Sequence, residues 1–204
     1  MTASANTSDA SPEGVPAALA IAETRAWVRR AVIGLNLCPF ARVVDAKDQI
    51  RYVFSEATDA ETLLATLVVE LQRLADTDPA LVDTTILIHP RVFTDFEEFN
   101  DFLELADVAV EDLDLDGVLQ VASFHPRFQF ADTEPDDVTN ATNRSPWPTL
   151  HLLREDSVDR AVAAFPEAET IFERNMATLE KLGPAGWAAV RKSWEDDAAA
   201  EFGG

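Results

Sequence analysis

Phe124-His125-Pro126-Arg127-Phe128-Gln129-Phe130 and Asn143-Arg144-Ser145-Pro146-Trp147-Pro148-Thr149-Leu150-His151-Leu152-Leu153-Arg154-Glu155 are the two ends of one connection, and their reading decides the fold. Val118 to Phe124 has the β-branched and aromatic content of a strand, which His125-Pro126 ends. Thr149 to Leu153 reads as another strand. Between them, Arg127 to Pro148 follows neither a helical nor a strand period. A loop of that length inside a compact domain signals a purpose or local structure.

Working outward, Thr84 to Ile88 is a strand that also ends in a His-Pro pair, His89-Pro90. Ile50 to Ser55 is a third short strand. Thr58-x-x-Glu61 and Thr94-x-x-Glu97 are capping-box patterns, each opening a helix with an apolar stripe. Ile21 to Ile33 is helical, with Gly34 as its stop, and Pro39 holds Cys38 at a turn. Downstream, Ser157 caps a short helix. Glu167 to Leu182 forms an amphipathic helix with Ile171, Phe172, Met176 and Leu179 inward, stopped by Gly183-Pro184. Ala185 to Trp194 is a last helix.

Strand-helix alternation of this kind predicts an α/β sandwich: a four-stranded mixed sheet, three strands parallel and one antiparallel, with helices packed on it. Residues 15–195 are expected to form a single domain, 1–14 a disordered acidic N-terminus and 196–204 a frayed tail.

The chain has 204 residues, 47% of them hydrophobic, which suits one sizeable core. It has no apolar run of about 18 residues, so no membrane partner is expected. The N-terminal stretch lacks the basic and apolar regions of a signal peptide, which predicts a cytoplasmic location. A net charge of -21 repels phosphate backbones and argues against nucleic acid as a partner. The single cysteine, Cys38, excludes an internal disulfide. Against so acidic a background, clustered arginines carry information.

If the first three strands run parallel, His89 and His125 leave the sheet at one edge, where open α/β folds bind ligands. His151, near the start of the returning strand, is expected on the same rim. Three chemistries use such a rim. Arg127, Arg144 and Arg42, with Arg154, would hold a small anionic molecule by bidentate hydrogen bonds, oriented by Asn143 and Ser145. Strand alternation places Arg154 opposite His151, so it also reads as a strand-end charge. Cys38 would act as a nucleophile if a histidine favours its thiolate, whereas most lone cysteines are buried and inert. A metal site made of His89, His125 and His151, with Cys38 or Asp132, is the weaker alternative, since the spacing matches no local ligand motif. No phosphate-binding glycine loop, dinucleotide fingerprint or nucleophile elbow occurs.

Asn36-Leu37-Cys38-Pro39-Phe40-Ala41, together with the two stretches quoted first, resembles a bacterial family of single-domain proteins, domain of unknown function number 1415. The resemblance spans roughly residues 21–190. It implies a one-domain cytoplasmic protein and carries no activity with it. From the residues, the leading expectation is an enzyme acting on a small anionic metabolite, with His125 and His151 as acid-base groups and Cys38 as a third catalytic candidate. A non-catalytic sensor of a small ligand or metal is the second reading. A protein-interaction module that docks through the 127–148 loop and Trp147 is the third. Cofactor and protein partner are not specified by the sequence.

Overall fold

The computed structural model describes residues 14–164 and 170–202. The expected disordered N-terminus therefore falls almost wholly outside the described residues, as does Glu167, the expected start of the amphipathic helix. Six α-helices and four strands follow in the order α1 (Ala17–Trp27), α2 (Ala41–Ala46), β1 (Ile50–Phe54), α3 (Ala60–Asp76), β2 (Thr84–Ile88), α4 (Phe96–Asp112), β3 (Leu119–Phe124), β4 (Thr149–Arg154), α5 (Glu155–Ala164) and α6 (Ile171–Phe202). A π-helical segment, Val28–Ile33, continues α1, and a 3-10 helix, Val138–Asn143, lies between β3 and β4.

The strand order is β1-β2-β4-β3. Only β1 and β2 pair in parallel, so the expected run of three parallel strands is corrected. β4 is antiparallel to both β2 and β3 and separates them. β3 therefore shares the direction of β2 without bonding to it. The reason lies in β4: Leu150 and Leu152 are fully buried, which suits a slot between two strands.

Side-chain alternation divides the core between the two faces of the sheet. One face carries Leu87, Leu150 and Leu152 against α3 and α4. Leu63, Leu67, Leu71 and Leu74 of α3 recur at three- and four-residue spacing, and Phe99, Phe102 and Ala106 do the same in α4. The other face carries Ile86 and Ile88 against Ala20, Trp27 and Ala31, with Trp194 and Ala198 of α6. Trp27 meets Phe124 edge-on, with centroids 5.3 Å apart.

Capping corrects two expected boundaries by one residue. Asp59, not Thr58, accepts from the Thr62 amide at the start of α3, and Asp95, not Thr94, accepts from Glu97 and Glu98 at the start of α4. A carboxylate is a good acceptor at that position and also complements the helix dipole. Ser157 lies inside α5 instead of capping it, and its hydroxyl donates to Asp83 at 2.7 Å. Residues 196–202, from the expected frayed tail, continue the helix to Phe202; Ala198 is buried, and Arg30 grips Asp197 in a fork at 2.6 and 2.9 Å. Among the described residues, no helix is long and apolar enough to cross a membrane.

Within α6, Gly183 breaks the helical backbone at φ 66°, ψ 173°, directly before Pro184. That combination is close to glycine-only. Gly183→Ala meets no steric neighbour but must hold this conformation with a Cβ. The expected loss is about 1–3 kcal/mol of unfolding free energy in a urea titration; an unchanged midpoint would contradict the strained kink.

Candidate functional site

The two His-Pro turns leave β2 and β3 at the same sheet edge, and their imidazoles meet a common ring. Phe99 lies 5.3 Å from His89 and 5.4 Å from His125 between centroids. Phe96 and Phe128 continue the cluster to Phe130, and Phe130 meets Phe172 of α6. Phe172, expected inward, is half exposed at 51%, and Asn175 is buried on that helix at 7% exposure.

Hydrogen bonds fix the histidine tautomers. The Arg127 amide donates to His125 Nδ1 at 3.0 Å, so the proton sits on Nε2 and goes to the Phe93 carbonyl at 3.1 Å. His89 donates from Nδ1 to the Val92 carbonyl at 3.2 Å, and its buried Nε2 has no hydrogen-bond partner among the described residues. A second proton on either ring would break a bond or bury an unpaired charge.

His151 does not join this rim, which corrects the expected convergence. It pairs in register with Ile86 and Ala122, which puts its ring on the α1 and α6 face of the sheet. There the Thr84 hydroxyl donates to the Leu152 carbonyl at 2.6 Å and accepts from His151 Nε2 at 2.7 Å. Desolvation pushes all three imidazoles down to about 4. At neutral pH they are uncharged structural groups, two of them linking turns to strand ends. The three-imidazole metal arrangement is not assembled, and among the described residues no group of three His, Cys, Asp or Glu side chains is placed to hold a metal ion.

The expected anion-binding arginines are tied to the backbone. Arg144 donates to the carbonyls of Phe128 at 3.0 Å and Pro135 at 2.6 Å, which closes the loop from inside. Arg127 donates to the Thr94 carbonyl and, at 3.1 Å, to Asp95 Oδ2, linking its loop to the start of α4. Arg42 donates to the Ile33 carbonyl at the end of the π-helical segment, at 3.3 Å. Arg154 donates to the carbonyls of Leu74 and Thr77, both at 2.6 Å, where α3 ends. Asn143 donates to Ser123 at 3.4 Å, and Ser145 donates to the Trp147 carbonyl at 2.5 Å. The Trp147 indole donates to Glu23 at 2.7 Å, anchoring the loop on α1.

Fully buried Asn140 organises the same loop: its Oδ1 accepts from the Phe130 amide and the Thr133 hydroxyl, and its Nδ2 donates to the Glu134 carbonyl. The 3-10 helix that carries Asn140 packs Ala141 against Leu37 and Leu179. The loop is thus a folded wedge between the sheet and α6.

Cys38 follows Leu37, which packs on that wedge at Ala141. The π-helical segment ends with Leu37 and Cys38 both donating amides to the Val32 carbonyl, at 2.9 and 3.4 Å. Short π-helical turns are frequent at functional sites. Asn36 follows in the left-handed region at φ 57°, which asparagine tolerates. Amides of Phe40 and Ala41 point at the Cys38 sulfur and favour its thiolate, but burial outweighs them and pushes the thiol pKa up. The thiol is therefore protonated at neutral pH, as in an inert cysteine.

This turn and α6 enclose a cleft of about 180 Å³, lined by Leu35, Asn36, Pro39, Ile171, Arg174, Asn175 and Thr178. The helical members are spaced i, i+3, i+4, i+7, one face of α6. Asn175 also fixes the opposite wall by donating to the Leu37 carbonyl at 2.9 Å. Of these residues, only Asn36 and Pro39 belong to a motif that the sequence singles out. Arg174, Asn175 and Thr178 were accessible in principle, as a polar stripe beside the apolar one.

A family model described as "Protein of unknown function (DUF1415)" matches residues 19–189. No curated protein and no solved structure matches the chain.

The histidine geometry sets the acid response. An unfolded histidine titrates near 6.5, whereas these titrate at about 4 when folded. Folding favours the neutral form, so its contribution is complete above pH 6.5 and is lost as pH falls toward 4. Imidazole resonances followed by NMR are expected to stay unshifted from pH 8 to 5 while the urea midpoint declines below pH 6.5. A His125 transition near pH 6.5 in the folded protein would contradict the assignment.

Proposed function

The chain belongs to the family described as "Protein of unknown function (DUF1415)", and from that premise we propose that it is a small-ligand-binding protein whose ligand is anionic and sits in the cleft between the Asn36–Pro39 turn and α6. The observation that carries the reading is the cleft's lining. Among the described lining residues, three offer polar groups (Asn36, Asn175, Thr178), one is a guanidinium (Arg174) and three are apolar. The Asn36 amide and the Thr178 hydroxyl put neutral hydrogen-bond donors at this volume, which supports a small ligand with acceptor oxygens, an anion among them.

The volume supports a compact ligand. At about 180 Å³ the cleft is smaller than the ~300–1,000 Å³ of sites for drug-sized molecules. The acid-base reading of His125 and His151 has less support, because the two rings lie on opposite faces of the sheet and are neutral hydrogen-bonded groups. The binding reading needs no titrating group. It needs rigid walls, supplied by the Asn175 bond to the turn and the packing of Leu37 on Leu179.

Thermal unfolding tests this with a panel of acetate, isovalerate, inorganic phosphate and neutral isovaleramide. A ligand at a hundred times its Kd adds about 2.7 kcal/mol, which raises Tm by roughly 5–10 °C for a chain of this size. At least one anion is expected to raise the wild-type Tm, and Arg174→Gln and Thr178→Val are expected to diminish that rise. Equal shifts in wild type and both variants, or no shift with any anion, would overturn the reading.

A further inference from the structure

We infer that the outer face of α4 is a docking surface, and that its partner is a protein presenting a basic amphipathic helix. This surface is independent of the cleft and its ligand. Phe99, Phe102, Ala106, Ala109 and Val110 are the buried side of α4. On the opposite side, Asp101, Leu105, Val108 and Asp112 follow at steps of four, three and four residues and form one exposed stripe. Leu105 and Val108 are 47% and 48% exposed, so the fold leaves much of both in water. Glu104 and Glu111, also exposed, lie within one helical turn of Val108 and complete an acidic rim around the apolar pair.

The charges on this helix work against it. α4 holds seven carboxylates and no lysine or arginine. Glu97 and Asp101, and again Asp107 and Glu111, are like charges at four-residue spacing, which weakens a helix. Glu111 and Asp112 lie in the last turn, where the helix dipole favours cations. Among the described residues, no ion pair involves any of the seven. The acids of α6 differ: Glu195, Asp196, Asp197 and Glu201 pair with Arg191, Lys192, Arg30 and Arg25.

A cationic partner relieves both repulsions, and the apolar pair selects its form. α4 is about 25 Å long. A helix of similar length, with lysines or arginines beside an apolar stripe, matches the acidic rim and covers Leu105 and Val108. A second copy of this chain does not fit, because it brings an acidic helix and a net charge of -21 to an acidic surface. A polyamine would match the carboxylates and leave the apolar pair in water.

The test is fluorescence anisotropy of the full chain with a labelled amphipathic leucine-lysine helix of about 18 residues. A scrambled peptide of the same composition and spermine serve as comparisons. The wild type is expected to bind the amphipathic helix more tightly than the scrambled peptide. The double variant Leu105→Gln, Val108→Gln is expected to lose about ten-fold for the amphipathic helix and nothing for the scrambled peptide. The triple variant Asp101→Asn, Glu104→Gln, Asp112→Asn is expected to lose about ten-fold or more. The same charge change at exposed sites outside α4, Asp136→Asn, Asp156→Asn, Asp159→Asn, is expected to lose about two-fold at most. Equal losses in the two triple variants would overturn the surface, because net charge alone would then attract the peptide. Unchanged affinity in the double variant, with spermine bound as tightly as the helix, would assign the carboxylates to a small cation and overturn the partner helix. A wild-type dimer in sedimentation that the double variant dissolves would overturn it in favour of a second copy. No binding of the amphipathic helix would overturn it outright.

Discussion

The slot taken by β4 is the constraint from which the rest of the structure follows. A strand that returns antiparallel between β2 and β3 must be fed from the same sheet edge at which β3 ends. The connection therefore crosses directly over that edge, and its backbone polar groups must be satisfied there. Asn140 and Arg144 do this from inside the loop, with Ser145 and the Trp147–Glu23 bond at its exit. The edge that open α/β folds commonly leave for a ligand is filled here by the protein's own chain.

That filling decides the roles of the histidines and arginines. An imidazole beside stacked phenylalanines is stable only when neutral, and the two rim histidines spend their polar atoms on nearby backbone groups. Arginines serve equally well as donors to buried carbonyls, because one guanidinium offers several N–H groups in a plane. The rim chemistry is thus turned inward, toward holding the loop. The same loop presses its 3-10 helix on Leu37 and α6, and this support shapes the cleft on the other side.

Much of the architecture is legible in the sequence. The four strands, their flanking helices and the placing of His89 and His125 at one edge follow from apolar periodicity and the paired His-Pro turns. The position of β4 is not legible, because local patterns record which residues are buried and not which strand lies alongside. His151 shows how this propagates. It sits at the third position of β4, so alternation turns it away from the rim, and a foot of the loop becomes a residue of the opposite face. The sequence also holds a repeated signal: Arg91 follows His89-Pro90 as Arg127 follows His125-Pro126. Both arginines bond acidic partners, Glu56 and Asp95. The cleft is the least legible part. Its two walls are distant in sequence, and nothing local to Arg174 or Thr178 announces that the Asn36 turn lies opposite.

The central proposal is that a small ligand binds in the cleft between the Asn36 turn and α6 and not at the sheet edge. Backbone amide shifts of the full chain, followed by NMR during titration with isovalerate, test it most directly. The account predicts that saturable shifts gather at residues 35–39 and 171–178, while the amides around His89, His125 and Arg144 stay still. Shifts gathered at residues 125–148 with the cleft unmoved would contradict it.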